Sequence, residues 1–304
     1  MGHNGSKLKR GKRNSISAAD APYSTNIMSS YKEEYNFDNP YMMTIDETQI
    51  DRMQTQHHIL RTIWDGNFSA PIDEKLRHGN FRVLDFGCGP ATFCFDLASS
   101  FPSSTFVGVD FVPIFPTQVP RNTQFLVANI MDGLPFEDAS FDYIHARFLV
   151  MYFTQEEWEN VVIKELTRLL KPGGYLECYD SEFIWYNMSP SLEKLCNAVQ
   201  KELYARNIDP LMSRKIGDFI RSTGKYESIR HEQKNIPYGS WGDKIGELSA
   251  QTFFQFFEGV RKPIKEIMNI NDQEFDKLMR EFEGEINYYR TYSKNHRFVA
   301  HKRV

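Results

Sequence analysis

Regular hydrophobic patterning begins at Asp46. In ETQIDRMQTQHHILRTIW (47–64), Ile50, Met53, His57, Leu60 and Ile63–Trp64 recur at helical spacing, and GNFSAP then breaks the helix. From Phe81 the pattern switches to an alternation of strand and helix. FRVLDF reads as a first strand, and PATFCFDLASSF as an amphipathic helix burying Phe93, Leu97 and Ala98. STFVGVD and QFLVANI are the second and third strands, and SFDYIHARFLV contains the fourth. EEWENVVIKELTRLL is a long helix with Trp158, Val161, Val162, Leu166, Leu169 and Leu170 on its apolar side; PGG stops it, and YLECYD is the fifth strand. This order predicts an α/β chain with a mostly parallel sheet and helices on both faces. Ligands of such sheets bind outside the carboxyl ends of the strands.

After Glu182 the texture is helical, broken by two β-like pieces, YESIRHEQKNI and TYSKNHRFVAHK. These two are expected to extend the sheet as an antiparallel edge pair, with the intervening helices forming a cap. Residues 1–30 are rich in Ser, Gly, Asn and Lys/Arg, which predicts a disordered basic tail, and 31–45 are Tyr-rich and irregular. The expected organisation is therefore a tail over 1–45 and one domain over 46–304. Within that domain 46–80 form a helical lid, 81–182 a cofactor-binding core, and 183–304 a helical cap with the last strands.

Composition narrows the classes. The chain has 304 residues, 41% hydrophobic and 25% charged, as in a soluble globular protein. A net charge of −4 gives no reason to expect a nucleic-acid partner. No run approaches the roughly 20 apolar residues of a membrane-spanning helix, and no apolar segment of a secretory leader follows Met1. Cys88, Cys94, Cys178 and Cys196 show no CxxC spacing, so reduced thiols and a cytoplasmic or nuclear setting are expected.

The chemistry concentrates where the strands end. In VLDFGCGPAT (83–92), Gly87 and Gly89 let the backbone turn sharply against a ligand, and the helix that follows offers free N–H groups to a carboxylate. Asp85 is an acid placed to attract an ammonium and to repel a pyrophosphate. Asp110 closes the second strand about twenty residues later, where an acid accepts ribose hydroxyls. Asn129 follows the third strand, where its amide and the Ile130 N–H suit an adenine edge. Adenosine, ammonium and carboxylate together describe S-adenosylmethionine. Ala91 occupies the place of a third glycine in many dinucleotide loops, and without a pyrophosphate nothing has to pass it. An NAD-dependent dehydrogenase is disfavoured by Asp85 and by the downstream motif order.

The ordered set LDFGCGP, VGVD, LPFEDASFDYI and LLKPGGYLE resembles the class I S-adenosylmethionine-dependent methyltransferases. More narrowly, DETQIDRMQTQHHILRTIWDGNFSAPI, GVDFVPIFPTQVPRNTQF and FDYIHARFL resemble the fungal LaeA-like methyltransferases, regulators of secondary metabolism and development. The likeness covers roughly residues 46–182. It implies a Rossmann-like seven-stranded methyltransferase fold with a helical cap. It implies Asp85, Gly87 and Gly89 at the methionine end of the cofactor, Asp110 at the ribose and Asn129 near adenine; Cys88, Phe111, Ile130 and Ala146 are assigned to the same pocket. The acceptor, a small molecule or a protein, is not named by the residues. A regulatory role through protein partners stands beside catalysis.

Several residues keep two readings. His145 is a catalytic base or a satisfied strand histidine. Arg147 faces an acidic acceptor or the cofactor carboxylate, or makes a structural ion pair. Glu177, Tyr179 and Asp180 on the fifth strand are expected to line the acceptor pocket. The run Phe253–Phe257 lines that pocket or forms a buried helix. His57 and His58 point about 100° apart on a helix, so no metal site is expected. NPY at 39–41 lies outside the nucleotide fold and reads as coincidence. MGHNGS fits the pattern for myristoylation of Gly2, and the basic KLKRGKRN after it supplies the second signal for peripheral membrane contact. Nuclear import and an inert tail are the competing readings of that segment.

Overall fold

The structure, a computed structural model, describes residues 42–304. Gly2, the basic segment and NPY at 39–41 lie outside the described residues. A single seven-stranded sheet runs through the molecule in the order β3-β2-β1-β4-β5-β7-β6. Its central strands are β1 (Arg82–Phe86), β2 (Thr105–Asp110), β4 (Phe141–Arg147) and β5 (Leu170–Tyr186), with β3 (Thr123–Val127) at one edge. These five pair in parallel, and β7 (Tyr292–Lys302) pairs antiparallel with both β5 and β6 (Tyr226–Pro237). This is the α/β fold expected from the sequence, antiparallel edge pair included. Val83, Leu84, Asp85 and Phe86 are all buried, because helices cover β1 on both faces.

Helix α1 (Glu47–Ile63) starts where Asp46 accepts the Gln49 N–H at 2.9 Å. Helix α2 (Asp73–His78), which the sequence reading did not separate, and α3 (Thr92–Ser100) pack on one face. There Ile72, Leu76, Phe93, Leu97, Phe106 and Tyr143 form a core. On the other face, α4 combines the turns Gln155–Glu157, Trp158–Val162 and Ile163–Leu169; its middle turn is a π-bulge, which leaves Trp158 fully buried.

The later helices divide into two groups. Helices α5 (Pro190–Ala205), α7 (Asp243–Gly259), α8 (Arg261–Met268) and α9 (Asp272–Tyr289) form the cap around Phe257, Phe275 and Phe282. Helix α6 (Ile216–Ser222) does not join them. Its Ile216, Phe219 and Ile220 pack on the sheet core beside α4. The sequence pattern from Lys244 to Met268 reads as one helix, yet the chain breaks at Val260, because Pro263 belongs in the first turn of a new helix. Strand β5 runs to Tyr186, six residues past the expected end, since SEFIWY keeps β-prone residues in alternation.

Phe282 is fully buried in the cap, whereas Tyr288 on the same helix is 87% exposed. Phe282→Ala is expected to destabilise the protein by about 3–5 kcal/mol, and Tyr288→Ala to stay within about 0.5 kcal/mol of wild type. Urea denaturation of the two variants in parallel checks this contrast.

Candidate active site

The turn after β1 is built on two hydrogen bonds to its neighbour. The N–H groups of Gly87 and Cys88 both donate to the Val109 carbonyl, at 2.8 and 3.1 Å. Gly87 and Gly89 take φ values of +71° and +53°, which glycine adopts without strain. A Cβ at Gly87 would stand 2.5 Å from Leu149 Cδ2. At Gly89 it would meet only Met53 Sδ at 3.7 Å, so that side of the turn is bare. Ala91 also lies in the left-handed region, at +64°, as a buried residue just before α3.

Above the turn lies a cavity of about 180 Å³. Its floor is Gly87–Pro90 with Thr92, and one wall is the face of α1 carrying Arg52, Met53, Gln56 and His57. Arg147 to Tyr152, the end of β4 and the loop after it, form another side. The cap supplies Thr252, Phe253 and Phe256, and β5 contributes Ser181, Glu182, Phe183 and Trp185. Thr92 Oγ1 is buried with no hydrogen-bond partner among the described residues.

Of the predicted site residues, Gly87, Cys88, Gly89 and Arg147 border this cavity, and the others do not. Asp85 faces the α3 side of β1. Its Oδ1 accepts a proton from His145 Nδ1 at 2.8 Å, and Oδ2 lies 3.8 Å from the Cys94 thiol. An acid committed to a buried histidine supports the loop from below and presents no carboxylate to the cavity. His145 is the satisfied strand histidine of the two readings. It stacks on Phe93 with ring centroids 3.9 Å apart, and burial pushes its pKa down. Ala146 and Ile130 turn into the sheet core.

Asp110 acts one step removed. Its Oδ2 accepts the Gly89 N–H at 2.7 Å and its Oδ1 the Val112 N–H at 3.0 Å, so it pins the glycine turn to the end of β2. It is half-buried, like Phe111 and Asn129, along the ridge of strand ends leading away from the cavity. Asn129 Oδ1 accepts the Met131 N–H at 3.0 Å and caps a short 3-10 turn.

The expected acceptor residues on β5 are placed elsewhere. Glu177 accepts the N–H groups of Ser69 and Ala70 and pairs with Arg297. Tyr179, on the same face, packs edge-on against Trp64 and donates its hydroxyl to Asn295. Asp180 points to the opposite face and accepts from Leu149 and Val150 N–H at 2.6 and 3.0 Å; burial pushes its pKa up to about 7. All three hold loops around the cavity. The further run of β5, whose register against β7 shifts between Ser181 and Trp185, brings Ser181, Glu182, Phe183 and Trp185 to the wall instead. The Phe253–Phe257 run satisfies both of its readings, since α7 is buried and Phe253 and Phe256 also face the cavity.

Residues of α1 were the main omission. His57 is buried and joins three elements: its Nδ1 accepts from both terminal nitrogens of Arg147 at 3.3 Å, and its Nε2–H donates to Asp96 on α3 at 3.0 Å. The readable signal was a histidine and an arginine on the otherwise apolar stripe of α1. Burial first, and the Arg147 charge second, push the His57 pKa down to about 4.

With these geometries in place, residues 83–174 match the family model described as a methyltransferase domain. Methyltransferase str2 of Strobilurus tenacellus is 23% identical over 202 residues, covering 65% of this chain and 71% of that protein. N-methyltransferase gliN of Aspergillus fumigatus is 26% identical over 263 residues, covering 82% and 91%. The secondary metabolism regulator laeA of Coprinopsis cinerea is 25% identical over 222 residues, covering 65% and 52%. Residues 83–174 thus carry the likeness of a methyltransferase domain, and fold and sequence together resemble the class I S-adenosylmethionine-dependent methyltransferases. Within that class it is similar to the LaeA-like methyltransferases, and the relatives it matches are fungal.

Two predictions follow from the site. Unfolded His57 takes up a proton near pH 6.5, folded His57 only near pH 4. The unfolded chain therefore binds more protons between those values, and stability falls as the pH drops through that window. The expected loss is about 3 kcal/mol. Denaturation midpoints measured across the window should show it, with a flatter profile for His57→Gln. Gly87→Ala, which adds a clash to a positive φ, is expected to cost about 1–3 kcal/mol by the same measurement.

Proposed function

We propose that this chain binds S-adenosylmethionine with its methionine end on the Gly87–Gly89 turn and transfers its methyl group to an acceptor held beneath the cap. Thr92 Oγ1 carries this reading. A buried hydroxyl without a partner, on the cavity wall in the first turn of α3, is a donor awaiting an anion. The bare side of Gly89 and the free N–H groups of α3 suit a carboxylate in the same place. Arg147 adds a cation at the end of β4. The strand-end ridge with Asp110 and Asn129 offers acceptors and an amide where ribose and adenine would follow.

S-adenosylmethionine supplies a methyl group already activated on a sulfonium. The protein's task is then to place the acceptor in line and keep water out, which α1 and the cap do by roofing the turn. Among the described residues the walls carry no strong base: His57 is held near 4, and Glu182, against the effect of burial, is held at about 2 by Arg214, Tyr186 and His296. This favours an acceptor with its own lone pair, such as an amine, which sheds its proton to solvent after transfer. The name of the gliN relative, an N-methyltransferase, agrees.

A second reading, a regulator that works through protein partners, is favoured by the laeA likeness. Turnover of a methyl acceptor separates it from catalysis. The first test is calorimetric titration. S-adenosylmethionine should bind and NAD should not, and Thr92→Val should weaken binding by about tenfold. Binding of NAD in preference, or of neither compound, sinks the proposal.

A further inference from the structure

Two guanidinium groups line the cavity, and among the described residues neither has a carboxylate within ion-pair distance. Among the described residues, Arg147 donates to His57 Nδ1 alone, with the Asp85 charge beyond ion-pair distance. Arg52 is 7% exposed, and its contacts are all neutral: the Gln49 carbonyl oxygen at 2.6 Å, the Gln56 oxygen at 3.4 Å and the Met43 sulfur at 3.4 Å. Neither forms an ion pair within 4.0 Å among the described residues. Glu182, the acid on the wall, is already taken by Arg214 and His296. A buried cation without a counter-ion costs several kcal/mol unless a ligand compensates it.

The proposed cofactor carries one carboxylate, and its sulfonium and ammonium are cations, so it can neutralise one arginine at most. Arg147 follows the strand that pairs with β1 through Ala146 and Phe86, beside the glycine turn. Arg52 sits on the cap side. Its Nη2 contacts Met43, which belongs to the cap core, and its partner Gln49 donates to the Gln255 carbonyl on α7 at 2.7 Å. The adjoining wall is aromatic: Trp185 stacks on Phe253 at 5.2 Å, Tyr238 lies 4.5 Å from Phe253, and Phe183 and Phe256 complete it.

We infer that the methyl acceptor is a small aromatic carboxylate, its ring against Trp185 and Phe253 and its carboxylate paired with Arg52. The inference rests on the methyltransferase reading above and names its substrate class. A single planar guanidinium matches a carboxylate in a two-point hydrogen bond, and the aromatic wall matches the ring. The carboxylate is an anchor, and the atom that receives the methyl group lies elsewhere on the molecule.

The test uses the full chain saturated with S-adenosylhomocysteine, titrated with benzoate, phenylacetate, 3-phenylpropionate and indole-3-acetate and with the primary amide of each. At least one acid should bind about tenfold or more tighter than its amide, and Arg52→Met should erase that preference. The variant should keep its affinity for S-adenosylhomocysteine within about threefold and melt no lower than wild type, because it removes a buried uncompensated charge. Equal binding of acids and amides, or of none of them, overturns the inference while leaving the cofactor reading intact. A tenfold loss of S-adenosylhomocysteine affinity in Arg52→Met also overturns it, by assigning Arg52 to the cofactor. Wild-type protein that does not bind S-adenosylhomocysteine overturns the underlying reading and this inference with it.

Discussion

The hydrogen bond from the Gly89 N–H to Asp110 is the contact on which the site depends. Parallel strands end in loops that have no partner of their own. Here a carboxylate from β2 reaches across and takes the N–H of the turn that follows β1. Together with the two bonds from Gly87 and Cys88 to the Val109 carbonyl, this bond fixes the cavity floor just before α3. Everything above it is positioned from that floor: Met53 over Gly89, Leu149 against Gly87, and Thr92 at the helix entry. Burial pushes the Asp110 pKa up against the backbone N–H groups that pull it down, so this carboxylate is held in place at some electrostatic cost.

A second layer of polar contacts does for the lid what Asp110 does for the floor. His57 links α1 to the end of β4 and to α3 in one neutral bridge. Glu177 performs a similar service for the connection to α2, and Asp180 for the loop after β4. These buried groups share a logic. Each satisfies backbone or side-chain donors that a loop at a sheet edge would otherwise leave bare. The cavity wall itself mixes aromatic and aliphatic side chains with two arginines and a few polar groups, among them Gln56, Thr92, Ser181 and Glu182.

The sheet was legible because strand alternation, glycine turns and helix periodicity are local properties of the chain. The edge pair was legible for the same reason. Asp110 was singled out by its spacing from the glycine turn, and the structure shows its carboxylate gripping the Gly89 and Val112 N–H groups. The sequence reading set Asp85, Glu177, Tyr179 and Asp180 at the ligand, whereas their side chains bond to protein partners beside the cavity, because strand position does not reveal which face a side chain takes. One residue of phase decides between cavity wall and core. Arg52 and Ser181 to Trp185 were missed for a different reason. They join the site only through the packing of α1 and the cap, which depends on contacts across some 200 positions of sequence, such as Gln49 with Gln255.

The position of β7 has a consequence for how the molecule is made. It is the last of the seven strands to be synthesised, yet it lies inside the sheet, between β5 and β6. During translation the open edge of β5 waits for more than a hundred residues of cap to emerge before its neighbour exists. The same late strand supplies Arg297 to Glu177, His296 to Glu182 and Asn295 to Tyr179. A nascent chain that lacks it therefore keeps only the five parallel strands paired and leaves β6 without a neighbour. A chain that ends before β7 leaves the β5 edge exposed and these contacts unmade.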